Sequence, residues 1–204
     1  LKKVSVDLKA SIGNIDKCKN TQELRGVEGE AASRYFSVLD DLILQQKKDF
    51  NFNVRVRRPP TDPVNAMLSF SYSLLNGMTT SALYSVGLDP YVGFMHKDRP
   101  GRTSLSLDLM EELRPVFADR FVLTAINKRI INNNDFFTKE NGAVYFTDDG
   151  KKKFLQSWQM KKQNTIVHPF LKEKVEWGMV PYVQALLLAR FLRGDLDGYP
   201  PFLW

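Results

Sequence analysis

The sequence predicts a mainly α-helical chain with one small β-hairpin. Three features carry that expectation. Leu24, Val27, Ala31, Tyr35, Val38 and Leu42 recur at steps of three and four, which puts them on one helical face. Asp62-Pro63 opens a second, largely apolar segment with a cap residue and a proline at the first helical position. Asn141-Gly142 stands between the short runs Phe136 to Thr138 and Val144 to Thr147, a strong hairpin signal.

The first helical segment runs from about Asn20 to Gln46, and Asn20 and Glu23 have the spacing of a capping box. Lys47 to Arg58 is polar and basic and reads as a loop closed by Pro59-Pro60. In the second segment Val64, Met67, Leu68, Leu74, Leu75 and Met78 predict burial, Gly87 a stop and Asp89-Pro90 a turn. A short apolar run, Tyr91 to Met95, ends at His96 and leads into the basic loop Lys97-Asp98-Arg99-Pro100-Gly101-Arg102. A third helix spans about Thr103 to Lys128, with Pro115 kinking or dividing it. Two or three further helices fill Asp148 to Leu192, Gly194 caps the last, and an aromatic, proline-rich tail follows.

With 204 residues and 43% apolar content the chain can build one real core. A net charge of +6 suits a polyanionic partner. Cys18 is the only cysteine, which excludes an internal disulfide and a cysteine-built zinc site and fits a reducing, cytoplasmic compartment. The longest apolar stretch, Val180 to Leu192, contains Arg190 and is too short to span a bilayer, so no membrane partner is expected. The chain opens at Leu1 in mid-pattern and reads as lacking an N-terminal part.

Chemistry concentrates in three places. Asp108, Glu111 and Glu112 are three and four positions apart and share a helix face. Such an acidic face is either solvated and balanced by Arg114 or Lys128, or it is reconciled by a hard divalent cation. His96 is either a hydrogen-bonded structural residue or a ligand and base. Glu28 lies between Gly26 and Gly29, two glycines that each cost a helix about 1 kcal/mol relative to alanine. Either another helix crosses there or a substrate backbone comes close. His168 precedes Pro169 without a nearby acid pair and reads as structural, near a helix start. Arg57 and Arg58, with Arg55, and Lys97, Arg99 and Arg102 form two basic clusters that suit phosphates. There is no glycine-rich phosphate loop, HExxH motif or serine nucleophile elbow.

Four blocks then carry a resemblance. They are Leu24-Arg25-Gly26-Val27-Glu28-Gly29-Glu30-Ala31-Ala32, Pro63 to Leu75 (PVNAMLSFSYSLL), Gly87 to His96 (GLDPYVGFMH) and Pro100 to Pro115 (PGRTSLSLDLMEELRP). Their order and content resemble CRISPR-associated protein one, the adaptation integrase, over about Glu23 to Leu192. The resemblance implies a helical C-terminal catalytic domain over residues 21–204. Residues 1–20 would be the linker from an absent β-rich N-terminal domain, which carries much of the homodimer contact. It implies a metal-dependent endonuclease and integrase acting in spacer acquisition. Glu28, His96 and Glu111 would hold Mg2+ or Mn2+, Asp108 would be an additional catalytic acid, and Arg57, Arg58, Lys97, Arg99 and Arg102 would meet DNA. The implied partners are DNA, as protospacer and as CRISPR leader and repeat, CRISPR-associated protein two, and a second copy in the full-length protein. The competing expectation is a catalytically silent helical DNA-binding scaffold of the same adaptation complex; a helix-turn-helix docking element is not evident.

Overall fold

A computed structural model describes residues 1–97 and 99–203; Asp98, within the basic loop, and Trp204 lie outside the described residues. Helices dominate. Lys2–Ile15 (α1), where the sequence suggested a linker, is helical and lies along Thr21–Phe36 (α2), with Asp7 3.7 Å from Arg34. The Asn20 side chain accepts the N–H groups of Gln22 and Glu23, so it caps α2 as its spacing predicted. Glu23 reaches back to the N–H of Lys19, one residue before the cap.

Asp62 caps Pro63–Ser85 (α3), the central helix, by accepting the Asn65 N–H at 2.8 Å. Buried Asn65 then ties the preceding loop to α3: it donates to the Val54 carbonyl and accepts from the Val56 N–H and the Arg55 guanidinium. The third segment is divided where Pro115 removes a backbone donor. Ser104–Glu111 (α4) gives way to a π-helical stretch, Arg114–Asp119, and then to Arg120–Asn127 (α5).

Phe136–Thr138 (β1) and Val144–Phe146 (β2) form the hairpin expected around Asn141-Gly142, and Gly142 takes the positive φ that the turn needs. Asp148–Gln163 (α6) and Val180–Leu192 (α7) complete the helices. The sequence expectation of one hairpin is corrected by a second. Thr165–Val167 (β3) pairs antiparallel with Lys174–Glu176 (β4), where helix was expected. Its strands are as short as those of β1–β2, but no Asn-Gly pair marks its turn; the β-branched run Thr165-Ile166-Val167 between Asn164 and Pro169 was the local signal.

His168 is structural, but it organises this hairpin's turn and not a helix start. Its Nδ1 accepts the N–H groups of Phe170 and Leu171 at 3.3 Å each, and its Nε2 donates to Gln184 Oε1 at 3.0 Å. The core lies where α3, the π-helical stretch, α5 and α6 meet. Phe117 is held there between Trp158 (ring centroids 4.7 Å) and Trp177 (5.1 Å, stacked). No helix is long and apolar enough to cross a membrane among the described residues.

Candidate active site

The loop that ends at His96 is folded against the start of α4. The Pro90 carbonyl accepts the Leu105 and Ser106 N–H groups, taking up two donors that a helix N-terminus leaves open. Gly93 allows this approach, because a Cβ there would stand 2.7 Å from Ser104 Cβ and 2.8 Å from Asp108 Oδ2. The Asp108 carboxylate is fully buried and gathers the loop. Its Oδ2 accepts Phe94 N–H (2.7 Å) and Met95 N–H (3.0 Å), and its Oδ1 accepts His96 N–H (2.9 Å). Oδ1 also lies 2.6 Å from His96 Nδ1. A carboxylate already taking three donors accepts this contact too, so Nδ1 carries a proton, and in the neutral ring the lone pair is on Nε2. The ring is 23% exposed, which leaves Nε2 a route to a ligand.

Arg25 brings α2 to the same place by donating its Nε to the Met95 carbonyl at 2.7 Å, with Nη2 on the same oxygen. Glu28 is three residues on, on the Arg25 face of α2, and is exposed. Nothing stands within 4 Å of a Cβ built on Gly26 or Gly29, so the alternative that another helix crosses at these glycines is corrected: they face open space.

Asp108 and Glu111 of α4 and Glu112, which caps it, diverge. Asp108 points into the His96 loop. Glu111 is 34% exposed and holds Arg114 Nη1 at 2.6 Å from each oxygen. Glu112 turns the other way. It accepts the Phe202 N–H at 2.6 Å, Gln184 Nε2 at 3.0 Å and the Tyr199 hydroxyl, which docks the tail onto the helix. Burial pushes the Glu112 carboxyl up, against these hydrogen bonds. A shared solvated acidic face therefore does not form; the backbone after Glu111 departs from regular α geometry and each acid finds its own partners.

Behind Glu111 lies a polar network that the sequence did not disclose. Arg114 packs over the Tyr72 ring, 4.5 Å from its centroid. The hydroxyls of Tyr72 (2.6 Å) and Tyr35 (2.9 Å) both donate to buried Asp119. Burial raises the Asp119 carboxyl, while the two hydroxyls and Arg114 act in the opposite sense. Burial works against the charge of Arg114, and Glu111, Tyr72 and Asp119 together outweigh it. Tyr35 was legible only as part of an apolar face.

As donors, two carboxylates and an imidazole suit Mg2+ or Mn2+. The structure brings His96 and Asp108 together and ties the Glu28 helix to their loop. It does not gather Glu28, His96 and Glu111: among the described residues, no group of three His, Cys, Asp or Glu stands ready to hold one ion. Of the basic residues, Arg57, Arg58, Lys97 and Arg99 are exposed and Arg102 is half-buried. None of the five is in an ion pair among the described residues. Arg55 is a structural cation, bonded to Asn65 and Ser69.

The family model for CRISPR associated protein Cas1 matches residues 1–160 of the chain. The chain belongs to the Cas1 family. A Rhodospirillum rubrum protein named CRISPR-associated endonuclease Cas1 2 is 55% identical over 186 residues, 91% of this chain and 54% of that protein. The chain thus spans about half the length of that relative. A Cas1 protein from Thermotoga maritima superposes with a TM-score of 0.84 at 28% identity, over 95% of this chain and 59% of that one. A casposase bound to integration product superposes with a TM-score of 0.82 at 26% identity, over 93% of this chain and 55% of the other. The Cas1-like blocks quoted from Leu24 to His96 fall inside the family match, as do Asp108 and Glu111.

Proposed function

We propose that this chain is the helical catalytic part of a metal-dependent DNA endonuclease and integrase acting in CRISPR spacer acquisition. The observation that carries the reading is the His96–Asp108 couple at 2.6 Å. It turns Nε2 of the neutral ring away from the carboxylate, in a loop that Arg25 ties to the helix of Glu28. The reaction is phosphoryl transfer on DNA, either hydrolytic nicking or attack by a DNA 3′-hydroxyl at a leader-repeat junction. Membership of a family whose relatives are named endonucleases supports it, as does likeness to a casposase on its integration product.

In this reading Glu28, His96 and Glu111 would hold Mg2+ or Mn2+, which would supply a Lewis acid at the scissile phosphate. Asp108 fixes the tautomer and direction of His96. Arg57, Arg58, Lys97, Arg99 and Arg102 meet phosphates and fix the strand's register. Residues 1–20 connect a preceding β-rich domain to the catalytic domain at 21–204. Protospacer DNA, the repeat array, CRISPR-associated protein two and a second copy are its partners, in the cytoplasm.

The test uses the full-length protein on branched DNA. Glu28→Ala, His96→Ala and Glu111→Ala should each abolish cleavage and strand transfer while DNA binding persists. Three variants that cut and join like the parent would leave the silent-scaffold reading in its place. That reading draws on the position of Glu111, which faces Arg114 and not His96.

A further inference from the structure

The arrangement of Glu111 and Arg114 is unequal. Arg114 is 15% exposed, against 34% for Glu111. Its guanidinium is packed over Tyr72, and Tyr72 is itself anchored through its hydroxyl to Asp119. Asp119 is anchored a second time by Tyr35, from α2. The Arg114 Nε is buried without a hydrogen-bond partner, so the guanidinium is set by packing as much as by bonding. Glu111, by contrast, ends α4 and is the more exposed partner. When the pair opens, the carboxylate is the group with room to turn and the guanidinium stays.

A carboxylate with both oxygens on one cationic nitrogen has spent its charge on that partner. A second cation must displace the first, or share the carboxylate and accept repulsion from it. We infer that Arg114 is a fixed internal competitor for Glu111: it sets how tightly the site takes a divalent cation, without itself contacting the ion. This rests on the reading of Glu111 as a cation ligand, and it accounts for why the three candidate ligands do not gather.

The test is Mn2+ titration of the full-length protein followed by electron paramagnetic resonance, alongside melting temperature with and without Mn2+. Arg114→Gln and Arg114→Met remove the competing charge; Met preserves the apolar stem over Tyr72 and covers the case in which Gln does not fold. Either variant should bind Mn2+ about tenfold more tightly than the parent, the scale of one charge-assisted hydrogen bond. Each should also melt lower without the ion and regain more on its addition. A residue that merely supports the fold would, when lost, weaken binding. Affinity equal to or below the parent's, with Glu28→Gln and His96→Ala still weakening Mn2+, overturns the competitor role alone. Mn2+ affinity that none of these substitutions changes overturns the cation-site reading and the inference together.

Discussion

One oxygen of Asp108 serves His96 twice: Oδ1 accepts the backbone N–H at 2.9 Å and the ring Nδ1–H at 2.6 Å. The main chain and the imidazole are thus fixed by the same atom, and the direction of Nε2 follows from where α4 places Asp108. With Phe94 and Met95 on the other oxygen, a single buried carboxylate sets the geometry of the loop.

Asp108→Asn tests this arrangement. The amide has the same shape but turns a donor toward donors, so the loop loses part of its support. A loss of about 1–3 kcal/mol is expected, measured by denaturant unfolding. Cleavage should fall with it, because the imidazole loses its orienting acceptor. A variant as stable as the parent would remove the carboxylate from this role.

Salt dependence tests the basic residues. The logarithm of duplex DNA affinity should fall linearly with the logarithm of salt concentration. Alanine at Arg57, Arg58, Lys97, Arg99 or Arg102 should reduce the slope by about 0.9 for each phosphate contact removed. A residue whose loss leaves the slope unchanged does not contact phosphate.

Gly29 offers a separation of stability from activity. Nothing lies within 4 Å of the Cβ position, so alanine fits the helix. Gly29→Ala should raise stability by about 0.4–1 kcal/mol, seen as a higher melting temperature. If DNA passes close to this face, the same variant should cut more slowly. A stabilised variant with full cleavage would place Gly29 outside the DNA-facing surface.

His168 gives a pH dependence of stability. Burial lowers its pKa from 6.5, against the hydrogen bond with Gln184. The unfolded chain therefore takes the proton at a higher pH than the folded chain does. The stabilising difference is present above about pH 6.5 and is lost as pH falls through the folded value. Melting temperature measured between pH 5 and 7 should slope upward in the parent. His168→Leu, less stable overall, should give a flatter profile over that interval.

The helices were legible because their signals are repetitive. Asp62-Pro63 placed the start of α3, and Asn20 that of α2. The β3–β4 hairpin was not: its strands are as short as those of β1–β2, but the connection from His168 to Glu173 has no Asn-Gly turn pair to announce it. At the site, spacing grouped Asp108, Glu111 and Glu112, but it could not separate their directions. Asp108 turns into a loop, Glu111 to Arg114 and Glu112 to the tail because each has a different long-range partner, and such partners are set by packing. The same limit hid Tyr35 and Tyr72, whose rings read as core while their hydroxyls meet on Asp119.

Phe117 stands three residues after Arg114 in the π-helical stretch, in ring contact with Trp158 and Trp177. Indole emission responds to neighbouring rings and to water. The segment that carries Arg114 therefore has an optical reporter built beside it, and ultraviolet fluorescence of the unlabelled protein reads the packing of that segment directly.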